Sequence, residues 1–221
     1  TARRLNARKI PTCQSPVLFE APVASSLLSH FIGAISGGSL YRRASFLLDH
    51  LGEKLFPEFV RIYEQPFLQR ALGSAAFDGE GVVTDTRDIV TGGVLKRYLL
   101  GSYAARRLGL KTTGNAGGVH NLTIEPGAED LSSLIKHLHR GFLVTELIGF
   151  GVNSVTGDYS RGAAGFWVED GEIKFPVEEV TIAGNLKEMF QSITAIGCDV
   201  DTKRNIRCGS ILVEGLTVAG Q

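Results

Sequence analysis

The segment that comes nearest to a hydrolytic metal site is the apolar stretch Leu27–Ile35. Its residues recur at helical spacing, and it contains a single histidine, His30, followed by Gly33. A helix of a zinc-dependent peptidase would supply histidine ligands and a glutamate that takes a proton from the zinc-bound water. The stretch therefore has the pattern of such a helix without its set of ligands.

Two further groups of residues are candidates for a site. The glycine-flanked segment around Asp158, Tyr159, Ser160 and Arg161 offers a carboxylate, a phenol, a hydroxyl and a guanidinium group. Such a segment can bind a peptide backbone or order a subunit interface, or it can be an internally hydrogen-bonded corner of a sheet. His120 either lines a cleft or is an ordinary histidine at the start of a strand. The same pair of readings, cleft residue or internally hydrogen-bonded side chain, holds for His30.

The elements that must position these residues alternate between helical and strand-like periods. We expect five helices, with Gly37-Gly38 ending the first: Val23–Ile35, Arg43–Leu51, Ser102–Leu108, Leu131–His139 and Leu186–Ile193. We expect strands at Pro16–Phe19, Phe59–Glu64, Val82–Thr84, Arg87–Val90, Val94–Leu99, His120–Ile124, Phe142–Ile148, Gly162–Glu169, Glu172–Phe175, Val180–Ala183, Ile206–Val213 and Leu216–Ala219. The fold class is therefore α+β, dominated by antiparallel sheet.

Composition limits the classes of function. The chain has 221 residues, of which 43% are hydrophobic, and its 23 basic and 23 acidic side chains cancel. A neutral chain without a basic groove argues against direct nucleic-acid binding, and no apolar run reaches the roughly 18–20 residues of a membrane span. Glycine is enriched, with 27 residues placed in pairs and turns. That placement is typical of a hairpin-rich sheet structure.

The cysteines and the first residues suggest a compartment and a domain organisation. Three cysteines, Cys13, Cys198 and Cys208, form an odd and sparse set, which favours reduced thiols in a cytoplasmic protein. Thr1–Arg8 has the pattern of a polar helix leading from a preceding region. We therefore expect a helical tail over residues 1–14 and one domain over residues 15–221.

Three motifs carry a resemblance to a known family. They are HFIGAISGG at residues 30–38, followed by Tyr41-Arg42-Arg43; GDYSRGAAGFW at 157–167; and TIAGNL at 181–186. Together they resemble the TldD/PmbA family, in its PmbA (TldE) branch, and the similarity runs from about Arg4 to Gln221. The resemblance implies the C-terminal portion of such a protein, a barrel-like domain of mainly antiparallel sheet with a few flanking helices.

The resemblance also implies a function shared between two chains. A TldD-like catalytic subunit carries zinc on an HExxxH motif with a later cysteine, and a TldE-like subunit completes a cytoplasmic metalloprotease that processes unfolded peptides, including microcin precursors and an antitoxin. Alignment on Gly33 places Ser29, His30 and Ala34 at the His, Glu and His positions of that motif. We therefore expect no catalytic residue and no zinc in this chain, zinc in the partner, and at most a vestigial metal contact at Cys208, which is otherwise a small buried residue.

The spacing of the active motif carries one more expectation. Its two histidines are five residues apart, which puts them about 140° apart around a regular helix. An active helix must therefore distort near its second histidine, and glycine eases such a distortion. Gly33 remains in this chain, so we expect the bend to be kept although the ligands are lost.

Two alternatives stay open at this stage. The chain could be an independent hydrolase that uses Cys208 with His30 or His120, although the cysteine lacks a recognisable nucleophile signature. It could also be a peptide-binding scaffold or a homodimer with no proteolytic partner. Unlike a subunit of the paired protease, the hydrolase would be active alone, and the scaffold would have no proteolytic partner.

Overall fold

The computed structural model describes residues 4–220, which form two β-sheets and five short helices. The strands are β1 Cys13–Phe19, β2 Ile62–Glu64, β3 Arg87–Thr91, β4 Val94–Leu95, β5 Leu122–Ile124, β6 Gly141–Ile148, β7 Asp158–Glu169, β8 Glu172–Asn185, β9 Ile193–Ile196, β10 Ile206–Arg207 and β11 Ile211–Ala219. The helices are α1 Ala21–Ala34, α2 Gly37–Tyr41, α3 Ser102–Arg107, α4 Leu131–Leu138 and α5 Leu186–Gln191.

The larger sheet closes into a five-stranded barrel in the order β1-β6-β7-β8-β11, because β11 also pairs with β1. One edge of β11 bonds β1 along most of its length, while its other edge bonds β9 in its first half and β8 in its second. All of these pairings are antiparallel except β1 with β6. Closure leaves β9 as the strand at the end of this sheet.

The smaller sheet has the order β10-β5-β2-β3-β4. It is antiparallel apart from the two-residue pairing of β10 with β5. The expected fold class, α+β with predominantly antiparallel, barrel-like sheet and a few flanking helices, is confirmed.

Helix α1 connects β1 to the rest of the core. Its buried face carries Leu27, Leu28 and Phe31, and Phe31 makes edge-to-face contacts with Phe56 and Phe190. Barrel residues such as Val17 and Tyr159 belong to the same hydrophobic cluster. A second, smaller cluster lies where α4 packs on β1, with Leu134 and Leu138 beside Leu18. The helix that carries the motif positions is thus held rigidly by the core.

The hairpin at Asp170-Gly171 is confirmed. Both residues have positive φ, +55° and +71°, the combination that a two-residue hairpin turn of type I′ needs. The flanking strands are longer than expected, since β7 begins at Asp158 and β8 continues to Asn185. The separate strand expected at Val180–Ala183 is therefore part of β8.

Several expected elements are wrong, and local contacts give the reasons. Arg43–Leu51 forms turns instead of a helix, because Arg43 and Asp49 have positive φ. Gly37-Gly38 opens α2 instead of stopping a helix. A glycine is needed at the first position, because a Cβ on Gly37 would meet the Cβ of Ala104 on α3 at 2.4 Å. Gly37 thus allows α2 to approach α3 closely.

Other differences concern strands and the amino-terminal segment. Ile206–Val213 is divided between the two sheets, and Leu216–Ala219 continues β11 without a hairpin. Val82–Thr84 contributes an isolated bridge from Val83 to Phe77 instead of a strand. Residues 5–8 form a turn and a bridge from Arg8 to Val177, so the helix expected at Thr1–Arg8 does not extend over them. Residues 1–3 of that expectation lie outside the described residues.

Within residues 4–220, no helix has the length and apolar character to cross a membrane.

Candidate functional site

The three motif positions lie in the C-terminal half of α1 and differ in their surroundings. Ser29 is exposed, and its hydroxyl donates to the carbonyl of Ser25 at 3.0 Å. His30 is half-buried and Ala34 is buried. The helix is continuous through Ala34, and a Cβ added to Gly33 would meet nothing within 4 Å. Crowding therefore does not require a glycine at this position.

His30 packs against Tyr159 of β7. The two ring centroids are 6.1 Å apart and the rings meet edge to face at 77°. The side chain of Tyr159 is fully enclosed, with 1% of its surface exposed. This contact joins the motif helix to the segment around Asp158–Arg161, which sequence reasoning treated as a separate candidate.

Strand alternation divides that segment between two faces. Because successive side chains of a strand point to opposite sides, Tyr159 and Arg161 share one face of β7, and Asp158 and Ser160 share the other. Tyr159 is buried and Arg161 is half-buried, whereas Asp158 and Ser160 are exposed. Tyr159 contacts His30, and the charge of Arg161 helps to lower the pKa of His30. We call His30, Tyr159 and Arg161 the α1–β7 cluster.

Each member of the α1–β7 cluster has a buried polar atom without a hydrogen-bond partner among the described residues. These atoms are Nε2 of His30, the hydroxyl of Tyr159 and Nε of Arg161. Buried polar atoms in native proteins nearly always have a partner, whether protein, water or ligand. Three such atoms on neighbouring side chains make this cluster a candidate site for a ligand or for ordered water.

The electrostatics of the cluster are set by burial and by one cation. Burial, and to a lesser degree the charge of Arg161, lowers the pKa of His30 from its usual 6.5. Burial also raises the pKa of Tyr159 to about 12, with Arg161 acting in the opposite direction. At neutral pH the imidazole and the phenol are uncharged, so the guanidinium group is the charge of the cluster.

Zinc does not fit these positions. A zinc site needs imidazole, thiolate or carboxylate ligands, and Ser29 and Ala34 offer none of these. Burial and, second to it, the positive charge of Arg161 lower the pKa of His30, and both would also disfavour a metal cation there. Among residues 4–220, no three side chains of His, Cys, Asp or Glu come together in an arrangement that could hold a metal ion.

Cys208 lies at the opposite end of α1. Its thiol is fully buried and lies 3.5 Å from the carbonyl oxygen of Ala21, the first residue of the helix. His30 follows nine residues later, about 13 Å further along the helix axis. Burial, followed by the charges of Asp201 and Asp199, raises the pKa of Cys208 to about 12. The structure does not bring this cysteine to the motif positions.

His120 also lies apart from the α1–β7 cluster, in the bend before β5 of the smaller sheet. Its Nε2–H donates to the carbonyl of Gly114 at 3.0 Å, and its backbone N–H donates to Glu64 at 2.8 Å. Glu64 is 1% exposed and also accepts from the side chain of Asn115. Burial raises the pKa of Glu64 in spite of these hydrogen bonds. His120 is thus an internally hydrogen-bonded residue.

Sequence reasoning missed Glu64 and Asn115. The signal was the alternation of β2, in which Ile62 and Glu64 share the buried face. A carboxylate on the buried face of a strand requires hydrogen-bond donors from within the protein. The remaining candidate, Asp158, orders the turn before β7, where it accepts from the Thr156 hydroxyl at 2.6 Å and from Asn185 at 3.3 Å.

Comparison with known proteins identifies the domain. Residues 12–220 match the family model described as the PmbA/TldA metallopeptidase C-terminal domain. The chain belongs to this family. Its sequence is 51% identical over 221 residues to the metalloprotease PmbA of Escherichia coli O157:H7, and 50% identical over 218 residues to the metalloprotease PmbA homolog of Haemophilus influenzae. These alignments cover 100% and 98% of the chain.

Solved structures of the family agree with the fold. A putative modulator of DNA gyrase from Bacteroides thetaiotaomicron superposes over 100% of the chain and 50% of its own, with a TM-score of 0.95 at 34% identity. TldE from Thermococcus kodakarensis superposes over 99% of the chain and 53% of its own, with a TM-score of 0.87 at 28% identity. The chain spans about half the length of these relatives, and 49% and 48% of the two PmbA proteins.

Proposed function

We propose that this chain is the C-terminal portion of the non-catalytic subunit of a heterodimeric zinc metalloprotease of the TldD/TldE type. A TldD-like partner supplies the zinc and the general base. This subunit encloses the chamber and helps to hold extended, unfolded peptides such as microcin precursors or an antitoxin. We place the complex in the cytoplasm, with neither nucleic acid nor membrane as a partner.

The observation that carries this proposal is the position of Arg161. The charge of Arg161 acts on His30, which the resemblance aligns with the glutamate of a zinc peptidase, and the aligned ligand positions hold Ser29 and Ala34. Such a site has no base to take a proton from a metal-bound water and repels the metal itself. We therefore propose that this domain works beside a catalytically active TldD-like subunit.

The arrangement of Cys208 weighs against an independent hydrolase. A nucleophilic cysteine needs a thiolate and a base within hydrogen-bond reach. Here the thiol is buried, its pKa is raised to about 12, and its hydrogen-bond partner is the carbonyl of Ala21. His30 lies at the other end of α1, and His120 is bonded to Gly114. We therefore propose that intrinsic activity is absent.

The test is reconstitution with the full-length protein. A TldD-like subunit from the same organism, this subunit, and a mixture of both are assayed on a fluorescently labelled unfolded peptide. We expect hydrolysis that rises on mixing and is abolished by a zinc chelator. Hydrolysis by this subunit alone would overturn the proposal. Co-elution without hydrolysis, or self-association with no response to the partner, would favour the scaffold or homodimer alternative.

A further inference from the structure

The α1–β7 cluster lacks a counter-charge. Arg161 forms no ion pair within residues 4–220, and its Nε is buried without a partner. A partly buried guanidinium group is costly unless an anion or several acceptors compensate it. The two neighbouring orphaned atoms belong to Tyr159, which is enclosed by the core, and to His30, which α1 holds in place.

The unpartnered atoms of the α1–β7 cluster can all donate a hydrogen bond. The hydroxyl of Tyr159 and the N–H groups of Arg161 are donors, and Nε2 of His30 becomes one in the appropriate tautomer. Since Tyr159 and Arg161 are two residues apart on one face of a strand, their side chains start roughly 6–7 Å apart. The two side chains therefore leave the same face of β7 as neighbours.

We propose that the α1–β7 cluster binds a carboxylate group of an extended peptide. The inference rests on the proposed function for the choice of a peptide, and on the orphaned donors for the choice of an anion. A guanidinium group matches a carboxylate in a two-point hydrogen-bonded pair, which gives both energy and orientation. The phenol and the imidazole complete the shell around the same oxygens.

The charge of the cluster favours a monovalent anion. The lowered pKa of His30 and the raised pKa of Tyr159 leave Arg161 as the charged member at neutral pH. One positive charge balances one carboxylate, whereas a phosphate dianion would bring an uncompensated negative charge into a half-buried site. The carboxylate is therefore expected to bind more tightly than inorganic phosphate.

The experiment is isothermal titration calorimetry on the full-length subunit without its partner. The probes are an N-acetylated alanine tetrapeptide with a free C-terminal carboxylate, the same peptide as its C-terminal amide, an amide-terminated peptide with one internal glutamate, and inorganic phosphate. We expect the free acid to bind at least about tenfold more tightly than the plain amide, as the loss of a charge-assisted pair implies. Binding of the glutamate peptide would also support the proposal and would show that a side-chain carboxylate can occupy the site.

Variants locate the binding. Arg161→Gln and Tyr159→Phe should each weaken the free acid at least about tenfold, while Arg107→Gln and Tyr103→Phe, which change exposed residues of α3, should leave it unchanged. Tyr159→Phe keeps the ring in the core, so it remains informative if Arg161→Gln does not fold. Equal binding of acid and amide, tighter binding of phosphate, or insensitivity to both cluster variants would overturn the inference. Because neither zinc nor hydrolysis is involved, the result is independent of whether reconstitution succeeds.

Discussion

At the level of single residues, the proposed function rests on the side chains at and around His30. The resemblance aligns His30 with the glutamate of the catalytic motif. His30 contacts Tyr159 of β7, and the charge of Arg161, on the same strand, helps to lower the pKa of His30. The hydroxyl of Ser29 donates a hydrogen bond to a carbonyl of its own helix, and the side chain of Ala34 is buried in the core. The sequence alone located His30 and Arg161 as separate candidates. Their meeting depends on how α1 lies against the barrel, which no local pattern encodes.

A first prediction concerns the pH dependence of stability at His30. Its folded pKa is lowered from 6.5, so the unfolded chain binds this proton more readily. The free energy of unfolding should therefore fall as the pH drops below about 6.5, and the loss should be complete below the folded pKa. His30→Gln should reduce this fall. Urea unfolding of the full-length protein at pH 7.5 and 5.5 measures it.

The control for that measurement is Ser29→Ala, which alters the adjacent exposed position and leaves the titrating group in place. We expect its pH dependence to match the unchanged protein. If His30→Gln and the unchanged protein lose the same stability between the two pH values, the assignment of a lowered pKa to His30 is wrong.

A second prediction concerns the reactivity of the cysteines. Cys208 is fully buried with a pKa raised to about 12, whereas Cys198 is exposed. Iodoacetamide at pH 8 should modify Cys198 and leave Cys208 unmodified, since alkylation requires an accessible thiolate. In denaturant both should react. Mass spectrometry of tryptic peptides checks this, and rapid modification of Cys208 in the native protein would reopen the thiol hydrolase alternative.

At the scale of elements, close backbone packing decides which glycines matter. In β7, a Cβ on Gly165 would lie 1.9 Å from the carbonyl oxygen of Leu143 in β6, at the irregularity of that strand pair. On α1, a Cβ on Gly33 would meet nothing. Sequence reasoning gave Gly33 the special role of a bend and did not single out Gly165. The sequence does not distinguish Gly165 from Gly33, because the carbonyl oxygen that crowds Gly165 belongs to a different strand.

The third prediction follows from that contrast. Gly165→Ala should lower the free energy of unfolding by about 1–3 kcal/mol, because the barrel strands must move apart. Gly33→Ala should leave stability unchanged or raise it by up to about 1 kcal/mol, since alanine restricts the unfolded chain and suits a helix. Thermal and urea unfolding of both variants measure the difference. Severe destabilisation by Gly33→Ala would instead support a required bend.

At the scale of the whole molecule, the sequence predicted the fold class and most of the barrel. Period-two alternation and the Asp170-Gly171 turn located β7 and β8, because a two-residue turn leaves hairpin register little freedom. The turns at residues 43–51 escaped prediction because their positive φ values at Arg43 and Asp49 have no sequence signal as clear as a glycine. The division of Ile206–Val213 between two sheets also escaped, since it depends on pairings with distant strands.

The proposed function requires that this subunit contribute no zinc ligand to the paired protease. Its most direct test is the zinc content, by inductively coupled plasma mass spectrometry, of the full-length subunit, the TldD-like subunit and the purified pair. We expect substoichiometric zinc in this subunit, and as much zinc in the pair as in the TldD-like subunit alone. His30→Gln should leave the zinc content of the pair unchanged. Stoichiometric zinc in the isolated subunit, lost on substituting His30 or Cys208, would contradict it.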